Sequence, residues 1–417
     1  MRKLIYITIE SKSRELYPKL FFVNSALKKN FDCFIGDKIS IARAVKILGK
    51  GIYFYKSMNH YDTDHIKKFK KNNLYVVQDE EGGFARPDNK ELNKFVTYRS
   101  SKKNIELVDR FYNWGKFDYS IYTKRYKKNK KKFVVTGSPR IDLWREEIGD
   151  KIFSREIKKI KKLQKYVLIA SSGVSSKIEL KNRSIVDKFA KKLRNKKEIN
   201  KKKLEHLYEF KIFKETVKLT NYLANKFPEV NFIIRKHPNE NIKDWKKIIT
   251  KFPQNVYLEN RFDIYGWISM AECLIHTAST VGIQAFFMKK NVISFVPDIK
   301  GSHRGFSNQF GLKAKKLYTV AKLLSNILKK KQKININKSK LSILNSRICL
   351  KKHNSADMIA QDLYELSKTL SSENNKRFLT FYSYYFYIRS FLSEIKHFFS
   401  PQKKDVILKS RRSIKEK

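Results

Sequence analysis

Acidic residues are scarce in this 417-residue chain: 39 Asp and Glu stand against 92 Lys and Arg, a formal net charge of +53. Such an excess fits a lysine-rich habit expressed on solvated faces, or attraction to membrane lipid, nucleic acid or an anionic substrate. Charge by itself governs solubility and association, not fold. Cysteine is also rare. Cys33, Cys273 and Cys349 have no CxxC spacing and no histidine at ligand spacing. That excludes a disulfide scaffold and structural zinc and points to a reducing compartment. No uncharged apolar run of 18 residues occurs, so no transmembrane helix is expected. The start, MRKLIYITIESKSRELYP, is interrupted too early for a signal peptide and reads as a buried strand from Leu4 to Ile9. GxGxxG, P-loop, RNP, zinc-finger and helix-turn-helix patterns are all missing, which removes support for NAD, ATP and nucleic-acid partners.

What is present is alternation. Short apolar runs, rich in β-branched and aromatic residues, fall at 3–9, 31–36, 51–55, 74–78, 119–123, 132–137, 165–171, 230–236, 255–259, 272–277 and 291–296. These read as buried parallel strands. Amphipathic stretches separate them. In one, Phe213, Val217, Thr220, Ala224 and Phe227 share a helix face, and Pro228 ends it. The class is α/β, with two Rossmann-like halves facing a cleft. The divisions expected are 1–145, a connector 146–164, a second half 165–345, a closing helix 346–375 and a tail 376–417. The tail is dense in aromatics and then polybasic. It reads as an amphipathic helix lying on an anionic membrane surface, or as a last helix packed back on the body. The lysine-rich stretches 124–132 and 194–203 read as solvated loops.

Chemistry is expected at the carboxyl ends of strands. In VVQDEEGG, Asp79, Glu80 and Glu81 follow a first-half strand, and Gly82 leaves room for a sharp turn. A carboxylate crowded by others and partly desolvated is a better general base at neutral pH. A metal site or a helix cap are the alternatives. In IIRKHPNE, Arg235, Lys236, His237 and Pro238 form a strand-end loop able to offer cations and an imidazole to a phosphate. In LIHTASTVGIQA, Ser279 and Thr280 precede Gly282 at a helix start, which suits an anion. Ser171, Ser172 and Gly173 repeat the idea at the first strand of the second half. In TGSPRIDLW, Arg140 and Asp142 are expected to lock the joint between the halves.

Taken in order, Glu80-Glu81-Gly82, His237-Pro238 and Ser279-Thr280 resemble the D/E-D/E-G, His-Pro and hydroxyl-pair signatures of bacterial GT-B glycosyltransferases that use CMP-activated sugars. With GSPRID and TASTVGIQA, the chain looks most like surface carbohydrate biosynthesis proteins. The resemblance covers about residues 70–300. It implies inverting transfer of a sialic acid- or Kdo-like sugar from a CMP donor to a lipid-linked or glycan acceptor. By that resemblance the first half takes the acceptor, through loops such as 39–51, and the second takes the donor. Glu80 would be the base, helped by Glu81, and the run of three leaves Asp79 open as an alternative. His237 would assist phosphate departure, and Ser279 and Thr280 would hold the phosphate. No metal and no cofactor are implied, and the setting would be cytoplasmic, peripheral on the inner face of the plasma membrane.

A CDP-glycerol-type glycerophosphotransferase of teichoic-acid-like polymer assembly also resembles the chain, in GSPRID, His-Pro and the Ser/Thr loop. That family typically carries His-Gly rather than a carboxylate run in its first half. A UDP-sugar epimerase on the same fold and a non-catalytic membrane-bound scaffold are the remaining readings.

Overall fold

The computed structural model describes residues 3–80, 82, 84, 96, 99–163, 165–171, 196–237, 240, 242–300, 305–330, 338–349 and 354–370. Its apolar runs form two parallel sheets. The first contains β1 (Lys3–Thr8), β2 (Phe31–Gly36), β3 (Ile52–Tyr55), β4 (Leu74–Val77), β5 (Arg110–Asn113) and β6 (Phe133–Val135), in the order β2-β1-β3-β4-β5-β6. The second contains β7 (Tyr166–Ala170), β8 (Asn231–Arg235), β9 (Val256–Leu258), β10 (Cys273–His276), β11 (Val292–Phe295) and β12 (Leu312–Ala314), in the order β12-β11-β10-β7-β8-β9. Both faces of each central strand are covered, so β3, β7 and β10 are buried at every residue. The two halves form a GT-B-type α/β fold. All three cysteines are free thiols.

Several sequence expectations change. Residues 119–123, expected as a strand, lie in the helix Lys116–Arg125, and the strand of that region is β5 just before it. The alternation Tyr119-Ser120-Ile121 imitates a strand. What decides is Asp118, whose carboxylate accepts the backbone N–H of Trp114 at 3.0 Å and of Gly115 at 2.9 Å and so starts a helix. Residues 39–51, expected as a loop, belong mostly to the helix Lys38–Leu48, capped by Asp37 through Ile39 and Ser40 at 2.8 Å. The basic stretch 194–203, also expected as a loop, enters the helix Lys196–Lys226. The tail 376–417 lies outside the described residues.

The helix Ser355–Ser367 returns to the first sheet. Its Ala356, Ile359, Ala360 and Leu363 join Ile5, Ile7, Phe54 and Tyr112 in one core. Burying Ile359 and Leu363 contributes about 1.5–3 kcal/mol each. Buried Asp142 caps this helix, accepting from Ser355 N at 2.6 Å and Ala356 N at 3.3 Å. Gly137 supplies the close approach beside it. Its φ is +84°, and a Cβ there would fall 2.3 Å from Ser355 Oγ.

Candidate functional site at the strand ends

Strand order identifies the crevice in the second half. From β7 the chain moves outward to β8 and β9, then crosses to the other side for β10, β11 and β12. The loops after β7 and β10 therefore diverge, and ligands of such sheets bind outside those carboxyl ends. Ser171 follows β7, Lys236 and His237 follow β8, and Thr277 to Thr280 follow β10. Three stretches that together span more than 100 residues of sequence thus come to one edge. Ser172, Gly173 and Pro238 lie outside the described residues.

The loop after β10 is shaped from below. Ala278 takes φ 56°, and its N–H is held at 2.8 Å by Oδ1 of buried Asn308. Ser279 is half-buried and Thr280 exposed, while Val281 N donates to Ser279 Oγ at 3.4 Å. Gly282 is buried because nothing larger fits: a Cβ would lie 2.2 Å from His276 Nε2. His276 is itself buried, with Nε2 and Ser294 Oγ 3.1 Å apart. Burial pushes its pKa down to about 4, so the imidazole beneath the loop is neutral at pH 7.

The loop after β8 is braced differently from its sequence reading. Arg235 donates to the carbonyls of Glu259 at 3.1 Å, Arg261 at 2.8 Å and Phe262 at 3.2 Å. The guanidinium thereby fixes the loop after β9, and burial lowers its pKa. Lys236 Nζ reaches the His237 carbonyl at 3.2 Å. The Ser171 hydroxyl is buried and donates to Glu240, so it serves as an internal tie.

In the first half the carboxylates emerge from β4 as expected, but the crowding argument does not hold for Asp79 and Glu80. Arg99 grips Asp79 through two nitrogens, with Nε at 2.7 Å. Glu80 Oε1 lies 2.7 Å from Lys19 Nζ, with the two side chains 7% and 4% exposed. Each charge is answered by a cation rather than stacked on its neighbour. Lys19 also sits 4.4 Å over the Phe54 ring. Glu15, four residues before Lys19 on the helix Lys12–Lys28, lies close enough for Glu80 to act on it, and burial pushes its pKa up.

This loop meets the domain joint. Arg140 Nη1 donates to the Glu80 carbonyl at 3.3 Å, and Trp114 Nε1 to that of Asp79 at 2.7 Å. Gly82 N closes a turn onto Asp79 O at 3.4 Å. Phe84 then packs among Trp114, Trp144 and Phe306, with centroids 5.3, 5.9 and 6.3 Å away. Trp114 belongs to the first half and Phe306 to the second, so this ring spans both. Glu81 lies outside the described residues. Among the described residues no group of three or more His, Cys, Asp and Glu is arranged to hold a metal ion.

Sequence reading missed Lys19, Arg99, Glu240, His276 and Asn308. Two of these carried a signal: Glu240 closes the HPNE turn, and Lys19 stands four residues after Glu15. His276 lies inside LIHTASTVGIQA itself, and Arg99 and Asn308 come from separate segments.

No family model matches the chain, and no curated protein matches it in sequence. Solved structures do match in shape. The wall teichoic acid polymerase TagF is 14% identical, with a TM-score of 0.55, 88% of this chain covered and 89% of that one. A histidine variant of TagF superimposes with a TM-score of 0.57 at 14% identity, covering 88% and 89%. A UDP-GlcNAc 2-epimerase from Neisseria meningitidis gives 0.48 at 12% identity, covering 88% and 100%, too weak to carry an argument. At these identities the likeness is one of fold, and the fold it supports is the two-domain GT-B type.

Proposed function

We propose that this chain is a nucleotide-dependent transferase of cell-surface polymer assembly. Its preferred donor would be of the CDP-glycerol type, with the chain acting as a glycerophosphotransferase. The observation that supports the reading is that His237 follows β8 and Ser279 and Thr280 follow β10, the two strands that flank β7, all at carboxyl ends. Hydroxyls and backbone N–H groups there suit a pyrophosphate, and an imidazole beside it suits proton handling. In such a reaction the acceptor hydroxyl attacks the distal phosphorus. A new P–O bond forms, the bond to the CMP oxygen breaks, and the hydroxyl proton passes to a base. His237 is the candidate for that base. TagF, which has this fold, is a teichoic acid polymerase solved with CDPG, and that supports this donor class over a CMP-sugar.

A CMP-sugar glycosyltransferase is the second reading, favoured by the carboxylate loop reaching the joint between the halves. In that scheme a carboxylate takes the proton. Asp79 and Glu80 are both ion-paired, which favours the phosphotransferase. The acceptor would be lipid-linked or a glycan. The chain would work on the cytoplasmic face of an anionic membrane, held there by residues 376–417.

One experiment separates the readings. CMP, CDP, UDP and GDP are titrated against thermal unfolding, where a ligand at a hundredfold excess over Kd raises stability by about 2.7 kcal/mol. Stabilisation by CDP, with the charge-balanced Lys19→Met/Glu80→Gln variant still active and His237→Ala inactive, is the expected result. Stabilisation by CMP, with that double variant folded but inactive, would establish the sugar transferase instead. A protein stabilised by none of the four would sink both.

A further inference from the structure

The turn after β8 and the end of β7 are tied together by one buried carboxylate. Glu240 is 3% exposed. One of its oxygens accepts the Ser171 hydroxyl. The other accepts the His237 backbone N–H at 2.9 Å and the Trp245 indole N–H at 2.8 Å. These donors come from three elements: the residue after β7, the turn after β8 and the helix Ile242–Ile249. Trp245 is wholly buried, with its ring 5.0 Å from that of Phe213 on the helix Lys196–Lys226, so the carboxylate is anchored to the core.

We propose that Glu240 is a positioning residue. It holds the His237 backbone and the end of β7 at Ser171 at one fixed separation, so that both strand ends serve the same ligand. The His237 and Trp245 N–H groups can only donate and share one oxygen, so that atom has to accept, whereas the Ser171 hydroxyl can donate or accept. A glutamine with its NH₂ turned to Ser171 keeps these three contacts, and a leucine removes them all. The bonds lost are charge-assisted, the stronger kind. For its ligand this inference rests on the nucleotide reading of that edge. The tie between the loops stands apart from it.

The test uses the full chain and two measurements on Glu240→Leu. The first is calorimetric affinity for CDP and CMP. The second is amide hydrogen exchange of peptides covering 166–171 and 231–240. Phe213→Leu is the control, since it loosens the same core without touching the carboxylate, and Glu240→Gln is the conservative rescue. Expected is a loss of affinity of about tenfold or more in Glu240→Leu, with faster exchange in both peptides, while Glu240→Gln stays nearer the wild type and Phe213→Leu keeps wild-type affinity. Wild-type affinity and wild-type exchange in Glu240→Leu would overturn the proposal. So would an equal loss of affinity in Phe213→Leu. If the wild-type chain binds neither nucleotide, the nucleotide reading falls. The exchange measurement then decides the tie alone: faster exchange at both loops upholds it, and faster exchange at the β8 turn only overturns it.

Discussion

Lys19→Met tests whether the carboxylate loop is held by a buried ion pair. Methionine keeps the length of the side chain and its packing near Phe54, so the change is mainly in charge. In the wild-type protein Arg14, Glu15, Lys19 and Glu80 form a cluster with two charges of each sign. Removing Lys19 leaves Glu80 buried without its cation, beside a second buried carboxylate. Breaking one partner of a buried pair costs about 3–5 kcal/mol. Loss of the cation over Phe54 adds about 0.5–1 kcal/mol. Glu80→Gln removes the ion-pair partner of Lys19 but leaves Glu15 beside it, so its cost is the smaller of the two. The double variant Lys19→Met/Glu80→Gln removes both charges and recovers most of the loss. Its coupling energy should therefore be about 3 kcal/mol or more. Urea unfolding of the four proteins, followed by tryptophan fluorescence, completes the cycle. A cost below about 1 kcal/mol for Lys19→Met, the range of an exposed pair, would refute the reasoning. So would a double variant whose loss equals the sum of the singles.

Other expectations follow from the same geometry. Gly282→Ala drives a methyl group into the His276 imidazole, and overpacking of this kind costs about 1–3 kcal/mol. Because the loop above must shift, nucleotide-induced stabilisation should fall too, and an unchanged melting temperature would oppose this. Burial pushes the pKa of both His65 and His276 down from 6.5 to about 4. The unfolded chain then binds more protons between those values, so their contribution is complete above pH 6.5 and is lost as the pH falls towards 4. Each histidine loses about 1.4 kcal/mol per pH unit in that window, and a urea midpoint that stays flat there would contradict it. Asp142→Ala leaves the Ser355 and Ala356 N–H groups without their acceptor while Asn354 still caps Asp357 N, a loss of about 1–3 kcal/mol read by thermal unfolding. Deleting residues 376–417 should release the protein from membranes in a sedimentation assay. Continued pelleting would reject the anchor.

The strands were legible in the sequence wherever they are buried on both faces, because a central parallel strand has to be apolar throughout. Runs such as YVLIA and CLIH announce themselves. β5 did not, since RFYN is short and begins with an arginine, and β12 is only Leu312–Ala314. The helix at 116–125 was misread because its alternation has a period of two, whereas the Asp118 cap that overrules it is a local hydrogen bond. The positions of His237 and of Ser279-Thr280 at strand ends were also legible, since a strand followed by proline or by small hydroxyl residues marks its own end.

What the sequence by itself determined is the α/β class and the strand ends at which the polar motifs fall, both of which depend on composition and local period. Only the tertiary structure decided what those residues face. Asp79 and Glu80 read as a cluster of like charges until Arg99 and Lys19, 20 and 61 positions away, proved to neutralise them. Ser171 and Arg235 read as ligand contacts until Glu240 and the 259–262 carbonyls claimed them. The physical reason is the same in each case. A charge or hydroxyl carries its chemistry in its own atoms, but its task is set by the nearest partner in space. In a parallel sheet that partner arrives from another crossover, at a sequence separation no local pattern records.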